Sequence, residues 1–381
     1  MSNRFPFVVF SLVLFLGAQA AIPQGEGLHG QASGWIAFDP EKSPVSQTGL
    51  RYIPELFIEK KLDREIGLSI DISLNGFVTA DFQENQSDRY EEKIKPYRFW
   101  LRFSTNTFET RVGLQKINFG SAVLFRPLMW FDRMDPRDPL QLTDGVWGLL
   151  IRRYFLNNAN IWLWALYGED GTKGWETAPT KKNSVEYGGR IQTPFWIGEA
   201  GLSFHHREAG PDGIESVLPS AREAFTPENR IGLDGKWDIG AGVWFEGVLV
   251  SREHPHPGKR YQRLWTLGAD YTFKAGSGLT AAMEYFRIES PDRPFASAGG
   301  VVLSAFTLNY PLGILNRLSG ILYRDWTNNE WYRLLSWQRT YNRWSLHLLG
   351  FWNPDNARLY QDPSGSHFDG VGLLFMAVFN H

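Results

Sequence analysis

From residue 28 to residue 381 the chain is a succession of about eighteen short segments in which apolar and polar residues alternate. Tyr97-Arg98-Phe99-Trp100-Leu101-Arg102-Phe103 is one of them, with apolar odd positions and mostly polar even ones. Arg230-Ile231-Gly232-Leu233-Asp234-Gly235-Lys236-Trp237-Asp238 alternates in the same way. A period of two with one polar face belongs to a strand, not to a helix. The segments lie near 28–38, 50–62, 67–82, 94–105, 107–120, 145–155, 160–168, 184–194, 198–207, 228–238, 240–252, 260–273, 278–289, 300–310, 316–326, 330–340, 344–352 and 370–381. Most run to roughly 9 to 14 residues, the length of a tilted strand that crosses a bilayer.

The connectors sort into two kinds. After even-numbered segments they are short: Leu62 to Gly67, Thr105 to Thr107, Leu156 to Ala159, Pro194 to Gly198, Asp238 to Gly240, Lys274 to Gly278, Pro311 to Asn316 and Tyr341 to Arg343. After odd-numbered segments they are mostly longer and more polar, as at 39–49, 83–93, 121–144, 169–183, 208–227 and 353–369. One end of the fold therefore carries tight turns and the other long loops, a sorting that a soluble sandwich does not require and a transmembrane barrel shows. With both termini at the tight-turn end the strand number must be even. Eighteen satisfies this; sixteen is the alternative, because the connector at 327–329 within 316–340 is short.

Composition agrees. Mean hydropathy is -0.30, too polar for a helical membrane protein, and aromatic residues make up 15% of the chain alongside 38 Gly. No segment after the N-terminus is apolar enough for a spanning helix, so a chain that crosses lipid must do so as a closed barrel. The absence of Cys excludes a disulfide framework, a thiolate zinc site, a thiol nucleophile and a lipidated N-terminal Cys. The balance of 39 basic against 41 acidic residues, without a block of one sign, gives no reason to expect nucleic acid. The N-terminus reads as a secretory leader: Arg4, an apolar run Phe5 to Leu16, and Ala18-Gln19-Ala20 as cleavage site. That run is too short to anchor, since spanning takes ~20 residues. The expected organisation is a signal peptide at 1–20 and one barrel domain at 21–381.

The last segment, Asp369-Gly370-Val371-Gly372-Leu373-Leu374-Phe375-Met376-Ala377-Val378-Phe379, alternates the apolar set Val371, Leu373, Phe375, Ala377 and Phe379. It resembles the closing strand of Gram-negative outer-membrane porins, although those usually end on the last aromatic and here Asn380 and His381 follow. Arg111-Val112-Gly113-Leu114-Gln115-Lys116-Ile117-Asn118-Phe119-Gly120 is similar to a strand motif of several large porin and polysaccharide-export barrels. At the level of pattern the resemblance covers the whole mature chain. It implies an all-β, antiparallel, up-and-down transmembrane β-barrel in the outer membrane, passing small hydrophilic solutes or ions by passive diffusion, without enzymatic activity or cofactor. The implied partners are outer-membrane lipid and lipopolysaccharide, the barrel-assembly machinery, the solutes and, as an option, further copies in a homo-oligomer.

The connector after the fifth segment is the longest and the least like a solvated loop. Leu124 to Pro139 holds Leu128, Met129, Trp130, Phe131 and Met134 beside Arg126, Asp132, Arg133, Asp135, Arg137 and Asp138. Folded into the lumen, it would pack its aromatics on the wall and present those six charges at a pore constriction, as the third external loop of many porins does. The alternative is a plug or lid whose charges pair in local Asp–Arg bridges. Asp132, Asp135 and Asp138 match no calcium loop.

If the apolar sets face lipid, the polar sets face the lumen. Arg98, Arg102, Arg111 and Arg152 then form a basic wall, and Glu246, Asp270 and Glu284 an acidic wall opposite, with Glu186, Arg190, Gln192, His205, Arg207, Arg230, Asp234, Lys236 and Asp238 between. Such charges either set ion preference or simply solvate a wet wall. Trp100 and Trp244 are candidate stacking surfaces for sugars, or girdle residues if the register slips by one. Catalytic signals are sparse. Ser345 and His347 share a strand face, and His254 and His256 sit in a Pro-rich loop, but no hydrolase, metal or phosphate-binding motif surrounds them. Three rivals stand beside the porin reading: an export or electron-transfer conduit with a wide lumen, a barrel hydrolase, and a plugged structural barrel.

Overall fold

The alternating segments form eighteen strands: β1 (Gly27–Asp39), β2 (Ser43–Lys61), β3 (Gly67–Asp81), β4 (Arg89–Ser104), β5 (Phe108–Gln115), β6 (Val146–Tyr154), β7 (Asn160–Tyr167), β8 (Val185–Phe195), β9 (Gly198–Ala209), β10 (Thr226–Asp238), β11 (Gly242–Arg252), β12 (Tyr261–Phe273), β13 (Leu279–Glu289), β14 (Gly300–Leu312), β15 (Asn316–Asp325), β16 (Glu330–Thr340), β17 (Trp344–Trp352) and β18 (Val371–Asn380). The computed structural model describes residues 27–40, 43–82, 88–168, 171–210, 225–253, 260–354 and 368–381. The expected leader at 1–20 and the His254–His256 pair lie outside them. Each strand pairs antiparallel with its sequence neighbours, and β1 pairs with both β2 and β18, so the sheet closes on itself. Closure satisfies every strand edge, which is the condition for a sheet in lipid.

Side chains sort by parity. Ile36, Phe38, Leu50, Ile72, Leu101, Leu202, Leu233, Leu335 and Phe375 are exposed on the outside, while Ser33, Asn75, Arg190, His205, Asp234 and Glu246 are buried on the inside. That is the reverse of a soluble protein and the arrangement of a barrel with a polar interior. One irregularity matters for the lumen. Ser73 stands opposite Arg98 but Leu74 opposite Pro96, so Tyr97 is an extra residue in β4. Pro96 has no N–H for the ladder, and a bulge next to it is the usual accommodation. The bulge exchanges the two faces of β4, turning Arg98, Trp100 and Arg102 inward while Phe99, Leu101 and Phe103 point out.

All eight connectors after even-numbered strands are tight turns, and the strand number is eighteen, with residues 326–329 separating β15 from β16. Two boundaries depart from the periodicity. β2 begins at Ser43, inside what reads as a loop, because the ladder to β1 continues through a register shift at Ala37–Asp39. β5 stops at Gln115. Ile117 and Phe119 keep the alternating pattern but leave the sheet and are buried in the lumen. At the seam, the residues after the last aromatic extend the ladder. His381 and Gly30 exchange two backbone hydrogen bonds at 3.0 Å, and the His381 ring stacks on Tyr52 and Phe379 with centroids 5.9 and 6.0 Å away.

Candidate pore constriction and lumen wall

Residues 116–145, between β5 and β6, fold into the barrel and cross to its far wall. Two carboxylates there receive the loop backbone. Glu246 of β11 accepts the N–H of Ala122 at 2.7 Å and of Leu128 at 3.0 Å. Glu284 of β13 accepts Val123 at 2.6 Å, Leu124 at 3.0 Å and Phe125 at 2.6 Å, together with the Trp244 indole N–H at 2.9 Å. Between them Thr266 of β12 donates to the Phe125 carbonyl at 2.7 Å. Phe125 stacks on Phe286 with centroids 5.3 Å apart, Phe119 on Trp164 at 5.5 Å, and Phe131 meets the His205 ring edge-on at 5.1 Å. Gly232 of β10 leaves the room for this approach; a Cβ there would lie 2.3 Å from Leu128 Cδ2.

Burying each large apolar side chain contributes roughly 1.5–3 kcal/mol. Ordering the loop backbone costs about 1–2 kcal/mol per residue. These are of one order, so apolar burial alone does not choose a position for the loop. The directional bonds to Glu246 and Glu284 do.

A second loop, between β7 and β8, straps the first. The Trp175 indole N–H donates to the Arg126 carbonyl at 2.8 Å and its ring stacks on Phe286 at 4.8 Å. Arg133 donates to Thr172 Oγ1 at 2.5 Å. Gly174, at φ 47°, allows the strap to press so close that a Cβ would meet the Met129 carbonyl oxygen at 1.9 Å. The strap is held to the wall by ion pairs: Lys173 with Glu186 at 2.5 Å, and Glu176 with Arg230 at 2.7 Å and Arg207 at 3.1 Å. Glu228 sits among Arg207, Arg230 and Arg252 at 2.6–2.7 Å. The Trp164 indole N–H donates to His205 Nδ1 at 3.1 Å, so the ring proton is on Nε2, which donates to Glu186 at 3.0 Å. Buried charges of this kind persist only when paired. The sequence marks a long connector at 169–183 but not its inward path; Trp175 and Ala178, apolar within a polar connector, are the available signal.

Most of the six loop charges turn to near neighbours. Arg126 donates to Asn118 and to the Phe119 carbonyl. Arg137 forms a two-pronged bridge with Asp135, the shorter arm 2.8 Å, and lies over the Phe368 ring at 5.1 Å. Asp138 accepts the Leu140 N–H at 2.9 Å. Asp132 differs. It is 3% exposed, and neither carboxylate oxygen has a hydrogen-bond partner among the described residues. Burial pushes its carboxyl up to about 7, with the positive charges of Lys116, Arg98 and Arg126 pulling the other way.

The opposite wall, β2 to β6, is where arginines gather. Arg98 donates to the Tyr97 and Thr143 carbonyls at 2.5 and 3.0 Å. Arg102 reaches Ser69 at 3.0 Å and Glu59 at 3.3 Å. Arg111 and Arg152 share Glu109 at 3.0 and 3.7 Å. Trp100 and Trp162 lie under Arg111 and Arg152 at 4.6 and 3.8 Å. Arg51 of β2, which sequence reading passed over, joins them between Trp35 and Phe77, at 5.5 and 5.3 Å. On the far side Glu246 and Glu284 do not face a water-filled passage; they hold the loop. Asp270, half-buried, stays near the tight-turn end of β12. Trp244 points inward, committed to Glu284.

The lumen is thus divided. The apolar body of the β5–β6 loop fills the side lined by β7 to β15, and the arginine-bearing wall faces the remainder. The fold is that of an outer-membrane porin. Among solved structures, OccAB1 of Acinetobacter baumannii superposes with a TM-score of 0.55 at 8% identity, over 93% of this chain and 94% of that one. OccK5 (OpdH) of Pseudomonas aeruginosa gives 0.54 at 11% identity, over 95% and 99%. OccAB2 of Acinetobacter baumannii gives 0.53 at 8%, over 95% and 99%. No family model matches the sequence, and no characterised protein matches it by sequence comparison.

A conduit calls for a lumen without an infolded loop, and two loops fold in. For a hydrolase, Ser345 and His347 are hydrogen-bonded at 3.0 Å, but among the described residues no carboxylate bonds the His347 ring.

Proposed function

We propose that this chain is an outer-membrane channel for passive diffusion of small hydrophilic solutes or ions, exported by the leader at 1–20 and inserted by the barrel-assembly machinery. The observation that carries the reading is the third external loop, pinned across the lumen by Glu246 and Glu284 and leaving a wall of Arg51, Arg98, Arg102, Arg111 and Arg152 opposite. Of these five cations Arg102, Arg111 and Arg152 pair with Glu59 and Glu109, and the carboxylates of Asp71 and Asp138 lie near Arg98, Arg111 and Arg51. A charged wall beside a low-dielectric loop orients polar solutes and favours anions. The strap supports a second reading, in which the loops close the barrel until the strap is released.

The test is planar-bilayer conductance of the refolded protein, with reversal potentials in a salt gradient. Wild type is compared with Arg98→Ala/Arg102→Ala and with deletion of 129–137. The channel reading expects stable steps in wild type, larger steps after deletion, and a weaker anion preference in the double variant. Steps seen only after deletion make the loop a plug. No steps from any folded, heat-modifiable barrel overturn the channel.

A further inference from the structure

Arginines on the outer surface are not spread evenly. Toward the loop end, Arg263 of β12, Arg287 of β13, Arg324 of β15 and Arg333 of β16 occupy outward positions, each alternating with buried inward neighbours such as Leu264, Phe286, Tyr323 and Leu334. The matching outward positions of β6 to β9 are Trp147, Tyr167, Tyr187 and His206. One step nearer the turns, the outward row is apolar and exposed: Leu267, Met283, Phe306, Leu322 and Leu335. The arginines are therefore the first charged row above the apolar band, interleaved with Trp265, Tyr285 and Trp331, where a barrel meets lipid headgroups.

Their pairing is incomplete. Arg263 and Arg287 share one carboxylate, Glu289, each at 2.5 Å. Arg324 and Arg333 have no carboxylate partner among the described residues; Arg324 donates to the uncharged amide oxygen of Asn329. Arg324 stands opposite Trp331 and Arg333 opposite Leu322, which makes the two cations diagonal neighbours across the β15–β16 ladder, about 7–8 Å apart by sheet geometry. The Arg324 guanidinium lies 5.4 Å from the Trp326 ring and 5.0 Å from the Trp331 ring. The Trp326 indole N–H is held by Ser304 at 2.8 Å. The two rings and the Asn329 amide fix the guanidinium in place without neutralising it. Like charges at such spacing repel until an anion lies between them. From β13 to β16 the row spans about 15 Å at ~4.8 Å per strand, wide enough for a headgroup with more than one phosphate.

We propose that the β12–β16 rim binds the phosphate groups of an anionic lipid of the outer leaflet, with Arg324 and Arg333 as the principal donors. Guanidinium forks match phosphate oxygens in geometry and charge, and the apolar row beneath receives the acyl chains. This rests on the outer-membrane reading, with the long loops outward.

The probe is lipid A carrying its phosphates, compared with the same lipid after their removal, titrated onto the full-length refolded protein and read by native mass spectrometry. Wild type is expected to bind the phosphorylated form about tenfold more tightly, the scale of one hydrogen bond between charged groups. Arg324→Ala/Arg333→Ala should erase that preference. Arg339→Ala, an outward arginine near the tight-turn end, should keep it. Equal affinity of wild type for the two lipids, or an equal loss in Arg339→Ala, overturns the site, and the first of these needs no variant. Insertion into vesicles is scored separately: a barrel that inserts without phosphate preference defeats the lipid site alone, and one that never inserts defeats the membrane reading itself.

Discussion

The Glu284 carboxylate accepts the backbone N–H of Phe125 at 2.6 Å from the opposite side of the barrel. It takes Val123 and Leu124 as well, so one wall residue orients three successive peptide groups of the β5–β6 loop. Removing it leaves those donors buried and unpaired, at about 1–3 kcal/mol for each group that finds no water. Glu284→Ala should therefore free the loop while the barrel stays closed. The expected outcome is larger and noisier single-channel steps with unchanged heat-modifiability on gels.

Trp175 ties the strap to the loop through the Arg126 carbonyl and to the wall through Phe286. Trp175→Ala should raise conductance less than Glu284→Ala does, because Glu246 and Glu284 still hold the loop. The two single variants and the double variant, compared in one bilayer series, check this; strap and anchor meet at the same loop, so the effects should not add.

Gly174 and Gly232 test the packing without removing a bond. Gly174→Ala puts a Cβ against the Met129 carbonyl, at a backbone angle that disfavours side chains. Gly232→Val drives a side chain into Leu128. Both should displace the loop and widen the pore, and protease accessibility of the 129–137 segment should rise with conductance.

Asp132 gives a pH signature. Its carboxyl is raised to about 7 by burial, above the ordinary value of 3.8. The folded form therefore holds a proton that the unfolded form has released, and this contribution to stability declines as pH rises from about 4 and is gone above about 7. In the channel, deprotonation adds a negative charge close to Arg98 and Lys116. Reversal potentials should shift toward cations as pH passes through about 7, and Asp132→Asn should remove that shift.

The sequence alone determined the barrel. Period-two alternation, the regular exchange of tight turns and long loops, and the lack, after the N-terminal run, of a segment apolar enough for a spanning helix leave few other ways to cross lipid. Parity along each strand also assigned inward and outward faces, because side chains in a strand can point only two ways. It was enough to mark residues 124–139 as too apolar for water. Tertiary structure decided what the inward residues do. Glu246 and Glu284 read as an acidic wall, yet they serve as anchors because a loop more than a hundred residues distant arrives with unpaired N–H groups. Arg207, Arg230 and Glu186 are counter-charges for a strap whose inward path has no period to read. The partners of a lumen charge are set by which loop folds across the barrel, and that depends on distant apolar contacts and directional bonds, which local alternation does not encode.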